Sequence, residues 1–450
     1  MSDVIKIKKG LNIKLKGQAD KIFTKAPRSK TYSVKPVDFH ALTPKIEAKP
    51  CAAVKVGSTL FYDKHRPEIR YASPVSGTVL SILRGERRRI IAIIVEDDGK
   101  DTAVSFKKGD PSTLSREEVK KNLLDSGMWP MIRQRPYNIV ASPQDVPKAI
   151  YISGFDTAPL APDYDFIMKD QMDDFQTGIN ALKQLTDGKI HLNQDANFPS
   201  VKTFEGVKNV QLNKFKGPHP TGNVGIQIHH IDPINKGDLV WHVQPQEVAA
   251  MGRLFKTGKY DPEMVVALTG SEVNKPVYYK VIRGAEVSSI TEGNIKEGNV
   301  RYISGNVLNG RQVSTEGHLG YFAYQLTAIP EGNHYELFGW IKPGLKKFSV
   351  SRTFLSWLTP NREYNINTNL NGGERAFLMT GEYEKVLPMD IMPVQLIKSI
   401  LVDDIDKMEQ LGIYEVCEED LALCEFVCTS KIEVTSILRN GLDTIRKEME

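Results

Sequence analysis

Three of the four cysteines lie between positions 417 and 428, at Cys417, Cys424 and Cys428. A thiolate cluster is therefore the first chemistry to test. Iron–sulfur ligation uses tightly spaced cysteines, such as a CxxCxxC run with a further one elsewhere. The spacings here are seven and four, with no fourth cysteine nearby. On a helix over Glu418–Cys428, residues Leu421, Cys424 and Cys428 share one face and read as small core side chains. No cluster is expected. His229, His230 and His242 are the next candidate ligands. A strand over Val224–His229 would send His229 and His230 to opposite faces, and no carboxylate or thiolate stands at a ligand spacing beside them. Ordinary packing or hydrogen-bonding histidines are expected, and no metal.

Phosphate recognition needs closely spaced glycines that open onto a helix N-terminus. Neither GxGxxG nor GxxxxGK[ST] occurs in the chain. The nearest approach is Gly217-Pro218-His219-Pro220-Thr221-Gly222-Asn223-Val224-Gly225. Its prolines remove amide donors, and the residues after it read as the strand just named. A tight structural loop is expected there, which disfavours dinucleotide or FMN binding by this chain alone.

The segment Met128-Trp129-Pro130-Met131-Ile132-Arg133-Gln134-Arg135-Pro136-Tyr137 mixes aromatics, methionines and arginines between two prolines. That composition can form an apolar pocket with polar donors at its mouth. Turns at Val56-Gly57-Ser58-Thr59-Leu60 and Ser76-Gly77-Thr78-Val79 resemble the half-barrel repeat of biotinyl and lipoyl carriers. A carrier lysine sits at an exposed hairpin tip between small or Met neighbours. Lys64, in Asp63-Lys64-His65-Arg66-Pro67, has no such flanks, so carrier chemistry is not expected. Arg87-Arg88-Arg89 forms a short basic cluster without interleaved aromatics, which argues against nucleic acid.

The elements that must position these residues follow from pattern. At 450 residues the chain has room for about three average domains. Hydrophobic residues are 40% and the formal charge is only +4, which excludes a disordered chain and a broadly basic nucleic-acid binder. Four cysteines suit a reducing compartment better than a disulfide scaffold. The longest apolar run, Ile90–Val95, falls far short of the roughly 20 residues that span a bilayer. The lysines of Met1–Gly10 have no apolar stretch behind them, so no secretory signal is expected.

The first hundred or so residues read as short strands. From Pro111 strands alternate with helices, including one capped by Thr113 or Ser115, then Phe175–Leu185 and Pro245–Leu254. Val277–Val313 returns to β character. Residues 316–390 show little periodicity, as in segments that wrap over other parts or a partner. The end is helical. One helix opens at Pro393 with apolar positions running through Ile405 to Leu411, one covers Glu418–Cys428, and one carries Leu438, Leu442, Ile445 and Met449 on a face.

Several segments together resemble one family. They are Ser73-Pro74-Val75-Ser76-Gly77, Ser126-Gly127-Met128-Trp129 through Arg135-Pro136, the Gly217–Gly222 loop, and Arg301-Tyr302-Ile303-Ser304-Gly305 with Gly310. The longest are Glu336-Leu337-Phe338-Gly339-Trp340 through Val350, and Glu419-Asp420-Leu421-Ala422-Leu423-Cys424 through Cys428. In order and over nearly the whole chain, this set resembles the A subunit of the bacterial sodium-translocating NADH:quinone reductase, a six-subunit respiratory pump. The set is also similar to the NADH-binding subunit of complex I and the C subunit of the Rnf complex. Those relatives carry a Gly-rich flavin and NADH loop and iron–sulfur cysteines, and this sequence has neither.

The resemblance implies an α/β multidomain fold, α+β overall, in four parts. These are a barrel-sandwich biotinyl/lipoyl-like domain at 1–110, a Rossmann-like α/β domain at 111–258, a β-grasp (SLBB-like) domain at 259–315, and an extended wrap with C-terminal helices at 316–450. It implies a peripheral subunit on the cytoplasmic face of the bacterial inner membrane, with no redox cofactor in this chain. Flavins and an iron–sulfur cluster are expected in other subunits, and the sodium path needs membrane helices that this chain lacks. The implied partners are five other subunits, especially membrane ones, and quinone as substrate. Quinone contact is expected near Trp129, Arg133, Arg135, Pro136 and Tyr137, with Phe39 and His40 as further candidates. A free-standing flavin or NADH oxidoreductase and a soluble ligand-binding module are the competing classes.

Overall fold

The computed structural model describes residues 4–197, 203–333 and 336–449. The N-terminal part is a sandwich of two small antiparallel sheets. One orders Thr31–Val34, Ile90–Asp97, Gly77–Arg84 and Ala53–Val54, and the other Pro44–Ile46, Thr59–Asp63 and Arg70–Ala72. Val79, Ile93 and Val95 are fully buried, the last two on one face as strand alternation requires, and Leu60 and Phe61 are both buried across an irregularity in the pairing of their strand. Lys64 is exposed at a hairpin tip that Asp63 stiffens, accepting from the His65 amide at 3.1 Å and pairing with Arg66 at 3.2 Å.

The second part is a seven-stranded sheet in the order Val4–Lys6, Gln211–Lys216, Lys189–Asp195, Ala149–Ser153, Val240–His242, Arg133–Arg135, Ile139–Val140. Its first five strands pair in parallel, and the last two add an antiparallel edge. The opening strand of the chain thus closes this sheet rather than the sandwich. Helices Met172–Leu185 and Pro245–Thr257 cross so closely that a side chain at Gly178 would run into the Val248 carbonyl. Ser115 caps helix Arg116–Asp125 in a reciprocal pair with Glu118, one of the two caps expected.

The stretch read as strand Val224–His229 is instead the helix Val224–Ile231, so the Gly217–Gly222 loop does open onto a helix. Apolar residues at 224, 226 and 228 satisfy a period of two, but 224, 228 and 231 equally satisfy a helical face. Burial of Val224–Ile228 on all sides removed the polar alternation that would have decided between them.

A six-stranded sheet follows, ordered Arg311–Val313, Val300–Ser304, Gln325–Pro330, Glu263–Thr269, Val277–Ile282, Asp20–Lys25. It extends past 259–315 in both directions, borrowing Asp20–Lys25 and Gln325–Pro330. From 336 to 382 the described residues form turns and loops around the short 3-10 turn Leu355–Leu358. The helix expected from Pro393 through Leu411 is two, Pro393–Leu401 and Ile405–Gln410. Asp403 takes a positive φ of 54° between them, and the Asp404 side chain caps the second by accepting from the Lys407 amide. Glu418–Val427 and Val434–Met449 complete the C-terminal core, where Leu438, Leu442 and Ile445 are buried and Met449 is exposed. Among the described residues no helix is long and apolar enough to cross a membrane.

Candidate functional site

The short strand Arg133–Arg135 and the tight turn after it organise the site. Tyr137 and Asn138 both adopt left-handed backbone, at φ 78° and 52°, so the chain reverses at once into Ile139–Val140. Such geometry in a Tyr persists only where its surroundings hold it. Here Arg439 donates to the Tyr137 carbonyl at 2.8 Å, and His242 Nε2 meets Asn138 Oδ1 at 3.1 Å.

Arg135 is buried, with both terminal nitrogens paired and Nε without a partner. Nη1 donates to Asp420 Oδ2 at 2.6 Å and Nη2 to Glu419 Oε1 at 2.7 Å. Burial works against the Arg135 charge, but the neighbouring carboxyl groups of Asp420 and Glu419 outweigh it and push its pKa up. Burial raises the Glu419 carboxyl while Arg135 pulls it down, and it lifts the Cys417 thiol well above its ordinary range. Donor atoms of Cys417, Glu419 and Asp420 converge within 4.8 Å, a spacing that could suit a metal ion. The cation they hold is the Arg135 guanidinium. Asp420 also lies against Gly225, where a side chain would strike both its carboxylate and Arg135. Asn223 donates to the Glu419 carbonyl at 2.9 Å. The space before helix Val224–Ile231, where a phosphate would sit in a nucleotide site, is thus filled by the chain's own ion pair.

The remaining candidates divide. Trp129 is fully buried, edge-on to Trp241 at 5.5 Å, and its Nε1 donates to the Ala141 carbonyl at 2.8 Å. Pro136 is buried as well. Arg133, Phe39 and His40 meet instead in one cleft of about 50 Å³, lined also by Asp38, Asn138 and Phe322. The Arg133 guanidinium lies 4.6 Å over the Phe322 ring, and its buried Nε has no hydrogen-bond acceptor. Phe39 packs against Tyr71 at 4.7 Å, Tyr321 at 4.8 Å and Phe322 at 5.5 Å. His40 Nε2 stands 3.3 Å from Glu418, which also meets Arg439 at 3.3 Å. Burial lowers the His40 pKa, Glu418 raises it and Arg439 opposes its charge. Tyr137 does not line the cleft and packs against the C-terminal core, edge-on to Tyr414 at 6.2 Å. A larger hollow of about 400 Å³, against Glu47, Arg70 and Phe106, is open and touches none of these residues.

The histidines do not converge. His229 pairs with Glu415 at 2.7 Å, His230 Nδ1 meets the Ile226 carbonyl at 2.8 Å, and His242 is in the turn contact above. Cys424 and Cys428 are buried, and Tyr383 donates to the Cys428 sulfur at 2.9 Å. Sequence reasoning missed Phe322, Glu418 and Arg439, because contacts spanning up to about three hundred residues leave no local signal, and it passed over Asn138 beside Tyr137.

Three family models match the chain: the NqrA N-terminal barrel-sandwich hybrid domain at 5–98, the NqrA second alpha/beta domain at 114–260, and the NQRA C-terminal domain at 265–315. A Neisseria meningitidis serogroup A protein, named as the A subunit of a Na(+)-translocating NADH-quinone reductase, is 39% identical, covering 99% of this chain and 100% of its own. The chain belongs to this family of NADH-quinone reductase A subunits. The A subunits of Photorhabdus laumondii and Haemophilus influenzae are likewise 39% identical, with the same coverage. Among solved structures, an NAD+-reducing NiFe-hydrogenase in the H2-reduced state aligns with a TM-score of 0.38 and 10% identity, covering 78% of this chain and 68% of its own. The barrel-sandwich and alpha/beta descriptions of the first two models agree with the sandwich and the parallel sheet described above.

Proposed function

We propose that the chain serves as the peripheral, cytoplasmic-side A subunit of a sodium-translocating NADH:quinone oxidoreductase, supporting assembly and quinone reduction while other subunits export sodium. The observation that carries this is end-to-end similarity to proteins of that name, over 99% of the chain. On this reading five other subunits are its partners. They hold the flavins and the iron–sulfur cluster, and the electrons reach quinone from them.

This chain's contribution is the cleft at Arg133. A quinone ring is flat and apolar, with two carbonyl oxygens that gain negative charge as electrons arrive. Phe39 and Phe322 offer ring faces and edges, and the half-buried Arg133 guanidinium lines the same cleft with its positive charge. A cavity of about 50 Å³ takes a carbonyl edge rather than a whole ring, so the rest of the quinone lies outside it. Trp129, Arg135 and Pro136 then support the turn without touching the ligand. A flavin or nicotinamide reading would need the loop before helix Val224–Ile231, and Asp420 sits there.

Arg133→Ala in the assembled complex tests the contact. A raised Michaelis constant for quinone and weaker inhibition by quinone-site inhibitors are expected. Unchanged values for both would remove this cleft from quinone chemistry.

A further inference from the structure

Residues 336–362 present a second surface that the cleft does not explain. Leu337 is 81% exposed, Trp340 70% and Phe338 61%, and Ile341, Trp357 and Leu358 stand in solvent along the same stretch of chain. Single exposed apolar residues are ordinary, whereas a run of them marks a surface that something covers. The other two tryptophans, Trp129 and Trp241, are fully buried. Charge is as one-sided as hydropathy. Lys342, Lys346, Lys347, Arg352 and Arg362 face a single acid, Glu336, so this segment carries a net +4, as much as the whole chain. Glu336 lies at one end, paired with Lys342 at 2.6 Å and with Lys347.

The segment is held in place at its base. Leu15 bridges to Tyr364, Lys14 donates to Asn361 at 3.1 Å, and Phe348 packs on Tyr364 and Phe426 at 5.3 and 5.7 Å.

We propose that residues 336–362 seat this chain on the anionic headgroup surface of a lipid bilayer. Trp340 and Trp357 would lie at headgroup level and the basic side chains against lipid phosphates. Tryptophan belongs at that depth because one end of its ring system is apolar and the other donates a hydrogen bond. A cationic surface without acids from 337 to 362 complements anionic lipid, while a protein partner would ordinarily be met by charges of both signs. The proposal shares with the proposed function only its peripheral placement at a membrane, and needs no quinone contact.

Sedimentation of the full chain with phosphatidylcholine vesicles, and with vesicles containing roughly one third phosphatidylglycerol, tests it. Binding is expected only with phosphatidylglycerol, with a blue shift of tryptophan emission and loss at high salt. Each removed cation should weaken binding about fivefold, so Lys342→Gln, Lys346→Gln and Lys347→Gln combined should cost roughly a hundredfold. Trp340→Ser with Trp357→Ser should abolish the blue shift, and unchanged circular dichroism melts would show that both variants fold. Equal binding to both vesicle types, no binding at low salt, or full binding by the lysine variant would overturn the proposal. Release of these variants from the detergent-purified complex, without any effect on vesicles, would overturn it too, because the surface would then face another protein of the complex. If vesicle binding fails while Arg133→Ala still raises the quinone Michaelis constant, only the lipid proposal is lost.

Discussion

Arg133 and Arg135 stand two residues apart on one short strand and meet opposite surroundings. Around Arg135 the C-terminal helix Glu418–Val427 brings two carboxylates, at 2.6 and 2.7 Å, and seals the group from water. No carboxylate of that helix makes an ion pair with Arg133 among the described residues, and Glu418 pairs with His40 and Arg439. The Arg133 guanidinium rests on the Phe322 ring and lacks the paired carboxylates that Arg135 holds, while Nε is buried and unpaired in both arginines. One arginine has become a structural bolt between the sheet and the C-terminal helices. The other lies on an aromatic ring at the edge of a small cleft. What separates them is not residue type or local pattern but which side chains a distant helix delivers.

The largest effects should come from breaking the closed side. Asp420→Ala leaves the Arg135 charge buried with one partner fewer, and a buried pair broken on one side costs about 3–5 kcal/mol. Urea unfolding measures this. An Arg135→Met/Asp420→Leu double variant should recover much of the loss, because two apolar side chains leave no buried charge behind.

Acid should strain the same side through His219, in the loop before helix Val224–Ile231. Burial lowers its pKa to about 4 from an ordinary 6.5. Between those values the unfolded chain takes up a proton that the folded chain refuses. This contribution is therefore whole above 6.5 and is lost as pH falls towards 4, by roughly 3 kcal/mol in all. His219→Gln should lose less stability than the parent between about pH 7 and about pH 4, and parallel losses would assign the acid sensitivity elsewhere.

A smaller effect should come from Trp129, the aromatic that chemistry alone would favour as a stacking partner. Trp129→Phe gives up the 2.8 Å bond to Ala141 and some buried volume. About 1–3 kcal/mol of stability should go, with quinone kinetics unchanged in complexes that assemble. A selective rise in the Michaelis constant would move Trp129 to the open side of the comparison.

How far these arrangements were legible in the sequence follows from the range of each contact. The cap at Ser115 and the face of Leu438, Leu442 and Ile445 are local patterns that the structure carries as read, while Met449 at the end of that face is exposed. The helix Val224–Ile231 was not legible, since β-branched residues at alternate positions fit a strand as well as a buried helix. The break at Asp403 hid inside an apolar repeat that continued across it. Most candidate residues were drawn from one segment because aromatics, arginines and prolines in one run are unusual. Their sorting into buried support and open cleft rested on Phe322, Glu418 and Glu419, which no spacing rule connects to residue 133 or 135.

The central claim is the division of labour between the two arginines, and one paired measurement tests it most directly. Arg133→Ala and Asp420→Ala complexes are compared for thermal stability and for the quinone Michaelis constant. For Arg133→Ala, a rise of about tenfold in the Michaelis constant is predicted, worth about 1.4 kcal/mol, with little change in melting temperature. For Asp420→Ala, a large fall in melting temperature is predicted, with a near-normal Michaelis constant in the complexes that remain. The reverse pattern, or an Arg133→Ala complex that melts early while binding quinone normally, would contradict the account.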